Sequence, residues 1–187
     1  MELEKLREPL RIDQIDFRIQ SINRGGYATI LAYKDARADM QRLDDVVGPL
    51  GWKREHLNNN HNCRVSIWCG TKGEWVSKED TGTESNTEKQ KGLASDSFKR
   101  ACTNWGIGRE LYDYPLIQVK LNGGGDKNGA GVEWWMDGNQ PKAGWGLKLK
   151  EWIWFSQWEA GELLYLAAKD DKALRFKYGT FKKEAAA

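Results

Sequence analysis

The sequence predicts an α+β fold: a β-hairpin, a helix, a three-stranded antiparallel meander and a long helix, with a Trp-rich C-terminal extension. Two patterns predict it. Apolar and polar residues alternate over 15–33 and again over 52–80, in short runs separated by turn residues, as in half-buried strands. Ala94, Phe98, Ala101, Cys102 and Trp105 instead recur at helical spacing and define one apolar stripe. The expected organisation is a core domain over 1–121, a flexible Gly-rich loop over 122–131, and an extension over 132–187 packed on the core or on a neighbouring subunit.

Residues 1–14 read as a short charged helix with Leu3, Leu6 and Leu10 on one side, broken by Pro9, which either packs on a neighbouring subunit or frays. Ile15 to Gln20 and Tyr27 to Tyr33 form the hairpin around the turn Asn23-Arg24-Gly25-Gly26. Asp35 caps a helix whose stripe is Ala36, Met40, Leu43 and Val47, ended by Gly48-Pro49. Trp52–Leu57, Arg64–Cys69 and Glu74–Asp80 are the strands of the meander, joined by NNNHN and GTKG.

Ser85 and Glu88 read as a capping box opening a helix over 86–105. Lys89, Asp96, Lys99 and Thr103 lie roughly opposite its apolar stripe, and Arg100 sits on the flank, four residues after Asp96, in the order that favours an ion pair. Gly106 falls where a left-handed C-cap is expected, and Gly108 allows a second change of direction.

Leu116 to Leu121 is a further strand. In the Trp-dense stretch 133–158, Lys148, Lys150, Trp152 and Trp154 alternate with Leu147, Leu149, Ile153 and Phe155, which suggests another. Glu159 to Lys169 reads as a short helix through Leu163, Leu164 and Leu166, and the segment RFKYGTFKKEAAA is basic and aromatic.

At 187 residues the chain holds one domain, or one domain with an appendage. A net charge of +2 does not hold a polyanion globally, so any nucleic-acid site is a local concentration of basic residues. Ten Trp, six Tyr and five Phe serve core and oligomer packing first, with one or two free to stack on bases. Three cysteines cannot all pair, and the charged start and lack of any long apolar run point to a cytoplasmic protein with no membrane partner. His56, His61, Cys63 and Cys69 match no paired-ligand spacing, so neither a metal nor another cofactor is expected.

EDTGTES, then GLASDSFKRA, then WGIGRELYD resembles the Rad-fifty-two-like single-strand annealing proteins, most closely their phage-type branch, over about residues 15 to 115. The shared segment runs from an acidic, Gly-containing strand end through a helix with a Lys-Arg pair to an aromatic-Gly turn and a Tyr-Asp. The resemblance implies a β-β-β-α core that binds and anneals single-stranded DNA in recombination and repair. It also implies homo-oligomers, in rings or helical filaments, and no catalytic residues. It places phosphate contacts at Lys99 and Arg100, and a further one at Arg37, which could otherwise pair with Asp39 or Asp44. Some relatives carry another basic residue one turn after the pair. Thr103 stands there in this chain, so the site is either weaker or completed by Arg109. Lys89 and Arg64 are the remaining candidates, and a host single-strand binding protein or exonuclease the candidate protein partners.

A basic helix edge is also what any solvated helix presents. Two other classes remain open: a metal-dependent nuclease using Asp80, Glu84 and Lys89 or Lys91, and an adaptor whose Trp-rich C-terminal half docks a partner protein.

Overall fold

A computed structural model describes residues 2–83, 89–124 and 131–182, and side chains within these except those of residues 89–91. Two 3-10 turns, Leu3–Arg7 and Ile12–Gln14, precede β1 (Ile15–Ile22) and β2 (Tyr27–Lys34). Then come α1 (Ala36–Val47), β3 (Trp52–Leu57), β4 (Asn62–Cys69), β5 (Glu74–Thr81) and α2 (Lys89–Trp105). A 3-10 segment, Arg109–Asp113, leads to β6 (Ile117–Lys120) and the hairpin β7 (Trp134–Asp137) and β8 (Gln140–Ala143). The chain closes with a 3-10 turn, Leu149–Glu151, and β9 (Ile153–Glu159), β10 (Glu162–Lys169) and β11 (Leu174–Gly179). The fold is α+β, and β3–β4–β5–α2 is the expected β-β-β-α core. The capping box at Ser85 and Glu88 lies outside the described residues.

Two compact units are interleaved along the sequence, Met1–Ile15 with Lys34–Tyr112, and Asp16–Tyr33 with Asp113–Ala187. In the first, β3, β4 and β5 pair antiparallel, with Ser66 opposite both Lys53 and Ser77. The pleat turns Cys63, Val65 and Ile67 to one face, where all three are buried. On α2, Leu93, Phe98, Ala101 and Cys102 are buried, and Phe98 packs against Trp52 with ring centroids 6.1 Å apart. The opposite face of the sheet carries Trp68 and Trp75 in an edge-to-face pair and the bonded hydroxyls of Ser66 and Ser77.

The N-terminal segment is two 3-10 turns rather than a helix, and it is anchored rather than frayed. Leu6 and Leu10 are buried, the Arg42 guanidinium donates to the carbonyls of Lys5, Glu8 and Pro9, and the Leu10 N–H donates to the Glu110 carboxylate. Asp35 caps α1 as expected, accepting from the Arg37 N–H at 2.7 Å. α1 buries Ala38, Asp39 and Leu43, so its inward stripe includes a carboxylate that the apolar pattern passes over. Asp39 is completely buried and pairs with Lys34, whose ammonium also donates to the Ile107 carbonyl at 2.6 Å.

In the second unit, β1, β2 and β6 form one antiparallel sheet and β11, β10 and β9 another, beside the β7–β8 hairpin. Trp154 of β9 lies flat on Phe17 of β1, with centroids 3.6 Å apart. Arg175 is buried between Glu133 and Asp170 and lies over the Trp152 ring. Glu159 to Lys169 is not a helix. Ala160 and Gly161 both take positive φ, a two-residue hairpin turn, and β10 then pairs with β9 on one side and β11 on the other. Two ladders override the helix preference of its Leu and Ala residues. Lys148 and Lys150 precede the strand instead of lying in it, because the 3-10 turn at Leu149–Glu151 delays its start to Ile153.

Candidate nucleic-acid interface

α2 can present a basic edge because its other side is committed. Phe98 and Ala101 bracket the Lys99-Arg100 pair and both are buried, so the pair emerges on the flank. The strand end before the helix lies unusually close to it. A Cβ on Gly82 would sit 2.7 Å from the Ser97 nitrogen and 2.8 Å from the Leu93 oxygen, so only glycine fits against this backbone. The Ser97 hydroxyl then ties α2 to the Asn60 carbonyl.

Lys99 is half-buried, and its ammonium has no ion-pair partner within 4 Å among the described residues. Its charge reaches Asp39: burial pushes the Asp39 carboxyl up to about 6, against the pull of Lys34 and, more weakly, Lys99. Arg100 is exposed and pairs with Asp80 of β5 at 3.6 Å, not with Asp96. Asp96 instead accepts from the backbone N–H and the hydroxyl of Thr83, holding the strand end down.

Arg109 folds back to donate to the carbonyls of Thr103 and Asn104 at 3.0 and 3.2 Å, satisfying the open C-terminal end of α2. It does not stand alone. The Lys78 ammonium donates to the Asn104 carbonyl at 2.6 Å and sits over the Trp105 ring. Burial lowers the Lys78 pKa, and the charges of Arg109 and Arg7 lower it further. Three cations from three elements thus crowd the C-terminal end of α2. Neither Lys78 nor Arg7 is a candidate on sequence grounds, since no local pattern links residues 7, 78 and 109.

The other candidates are placed less favourably. Arg64 pairs with Glu79 at 3.1 Å and Glu55 at 3.7 Å across the meander, which neutralises it locally. Arg37 is almost fully exposed at the start of α1, with its own cap Asp35 at 3.9 Å, and pairs with neither Asp39 nor Asp44. Lys89 opens α2, and its side chain lies outside the described residues. Arg64 and Arg100 both pair with β5, through Glu79 and Asp80, but these neighbours lie on opposite faces of the sheet, so Arg64 is not brought to the α2 side. Among the described residues no three His, Cys, Asp or Glu side chains gather as a metal site, and no helix is long and apolar enough to cross a membrane.

Two curated proteins are similar to part of this chain. Over 106 residues the chain is 38% identical to the single-stranded DNA-binding protein DdrA of Deinococcus deserti, covering 51% of this chain and 48% of the relative. Over 92 residues it is 38% identical to the DdrA protein of Deinococcus radiodurans, covering 47% and 43%. The chain therefore spans about half the length of the curated relatives it matches. The model of the Rad52/22 family of double-strand break repair proteins matches residues 2–126, about two-thirds of the chain, and the chain belongs to that family.

Proposed function

We propose that this protein binds single-stranded DNA along the basic edge of α2 and promotes pairing of complementary strands in recombination and repair. The observation that carries this is the geometry of α2: an apolar side locked to the meander, and Lys99 and Arg100 held outward from it. Lys99 is the primary phosphate contact, since no carboxylate among the described residues forms an ion pair with it. Arg100 exchanges Asp80 for a phosphate, and Arg109 with Lys78 extends the positive field beyond the helix end. Arg37 and Lys89 are secondary contacts, and Arg64 is the weakest candidate, since it lies on the sheet face away from α2 and two carboxylates compete for it.

Phosphates carry no base identity, so a row of lysine and arginine heads binds any sequence and leaves the bases free to pair. Pairing itself drives annealing, and no bond is made or broken. One protomer offers a short basic edge, so a long strand is held by many copies arranged head to tail, as a ring or a filament. The compartment we propose is the cytoplasm, that of a bacterial host if the chain is phage-encoded. In residue order the Lys99-Arg100 helix and the turn after it resemble those of phage-type annealing proteins.

The test is to titrate labelled oligonucleotides of several sequences into the protein, while measuring its mass by light scattering with and without DNA. Sequence-independent binding by a multimer is the expected result. A monomer that ignores single strands, or that binds one sequence only, would sink the proposal.

A further inference from the structure

The strand register of the second unit sorts the side chains of β9, β10 and β11 onto two faces. Ala168 lies opposite Trp154 and Phe176, on the face where Trp154 meets Phe17. The neighbouring residues point the other way: Phe155 lies opposite Ala167 and Lys177, and Ile153 opposite Lys169 and Leu174. On this second face Ile153, Phe155 and Leu174 are 53%, 43% and 59% exposed. Monomeric surfaces rarely gather such side chains without use. The face is also positively charged. Lys169 sits 5.4 Å from the Phe155 ring centroid, Lys177 is exposed, and neither has an ion-pair partner among the described residues. Among the described residues one end is covered, where Phe181 packs edge-to-face on Tyr165 and the Gln157 amide binds the backbone of Lys182.

We infer that this face is a second binding surface for single-stranded nucleic acid, with a base stacked on Phe155 and phosphates held by Lys169 and Lys177. An aromatic ring set between unpaired ammonium groups on an open antiparallel sheet suits a ligand that is flat and apolar on its bases and anionic along its backbone. A second copy of the same face is a poor occupant, because it would bring lysine against lysine. These residues lie beyond the 2–126 segment that matches the family, so nothing in that match assigns them a role. The choice of ligand rests on the single-stranded DNA reading above, but the site is separate from α2.

The experiment uses the full chain, single-stranded oligonucleotides carrying a photoreactive pyrimidine, and three variants: Phe155→Ala, Phe155→Tyr, and Lys169→Gln with Lys177→Gln. Each is made in the native chain and together with Lys99→Ala and Arg100→Ala. Loss of two phosphate contacts flattens the dependence of log affinity on log salt by about 1.4. Phe155→Ala weakens binding about tenfold and removes a cross-link at position 155, while Phe155→Tyr keeps both. The double lysine variant alters only exposed side chains, so its result stands even if Phe155→Ala is poorly folded. Unchanged affinity, salt slope and cross-links in the Phe155→Ala and lysine variants would overturn the inference. If those variants are silent while Lys99→Ala and Arg100→Ala abolish binding, the α2 reading survives without this one. If the α2 pair is silent and the sheet variants lose binding, this one survives alone. Loss of assembly mass in Phe155→Ala with DNA affinity unchanged would give the face to a second copy and refute it.

Discussion

Lys34, the last residue of β2, is buried against Asp39 on α1 and donates to the Ile107 carbonyl in the turn that follows α2. One ammonium thus joins the start of the first helix to the end of the second. The turn accommodates it: a Cβ on Gly108 would lie 2.6 Å from the Lys34 Cδ, and Gly108 has a φ of +69°. Asp39 also feels the Lys99 charge, so loss of the pair should be felt on the helix edge proposed for DNA.

Lys34→Met alone should destabilise the fold by about 3–5 kcal/mol, because it strands the Asp39 carboxylate in the interior. Lys34→Met combined with Asp39→Leu should recover most of that. Urea denaturation of both variants checks this, and equal loss in both would mean that packing of the Lys34 stem, not charge, is what matters.

Asp39 should also leave a pH signature. Its folded pKa, about 6, lies above the ordinary 3.8, so the folded state holds the proton more tightly. Stability from this group is complete below about pH 4 and is lost as pH rises through 6, by up to roughly 3 kcal/mol. Lys34, Lys99 and Cys102 are the groups facing it. Asp170, held near 2 by its hydrogen bond with Arg175, acts in the opposite sense at lower pH, so the comparison is with the Lys34→Met/Asp39→Leu protein. A wild-type profile between pH 4 and 7 parallel to that of the double variant would remove Asp39 from the account.

Gly82→Ala should cost on the order of 1–3 kcal/mol, since the new methyl meets backbone atoms that cannot turn aside. A melting temperature equal to wild type would show that the strand end and α2 are farther apart in solution.

Lys99→Ala and Arg100→Ala should fold and assemble normally, alanine being the better helix former. Asp80 keeps its hydrogen bond from the Asn104 amide after Arg100 is removed, so no buried charge is stranded. Affinity for single strands should fall in both, more steeply for Lys99, with a shallower salt dependence and equally for every sequence. Filter binding across a salt series, with oligomer size measured in parallel, decides the matter. Wild-type slopes in both variants would move the site off α2.

Arg175→Met should destabilise the second unit by about 3–5 kcal/mol. Its guanidinium is buried between Glu133 and Asp170 and also donates to the Lys120 carbonyl. Although burial pushes the Glu133 carboxyl up, the hydrogen bonds from Arg175 and the Asn122 N–H bring it below its usual value. Hydrogen exchange should show β6 and β11 opening first. Protection unchanged there would mean that the Arg175 pairs are structurally idle.

The meander and both helices were legible because each has one buried face, and burial imposes a period of two or of 3.6 on the sequence. The stripe around Phe98 likewise revealed which way Lys99 and Arg100 point. What stayed hidden depends on partners distant in sequence. Nothing near Arg100 marks Asp80 as its partner in preference to Asp96, and nothing near residue 34 announces that a lysine there is buried. β10 was misread because Leu and Ala favour a helix when considered alone, although the Ala160-Gly161 pair was a hairpin signal in plain view.

The interleaving of the two units constrains the order in which this protein can be made. β1 and β2 leave the ribosome early, but β6, the third strand of their sheet, begins 83 residues after β2 ends, and Trp154, which covers Phe17, follows later still. The first unit has all its strands and helices by Tyr112 and can close while the β1–β2 hairpin still lacks its third strand. A chain cut at residue 126, where the family match ends, would keep β1, β2 and β6 but leave Phe17 bare. Such a fragment should be sticky for a reason unrelated to annealing, and its aggregates should not be taken for rings.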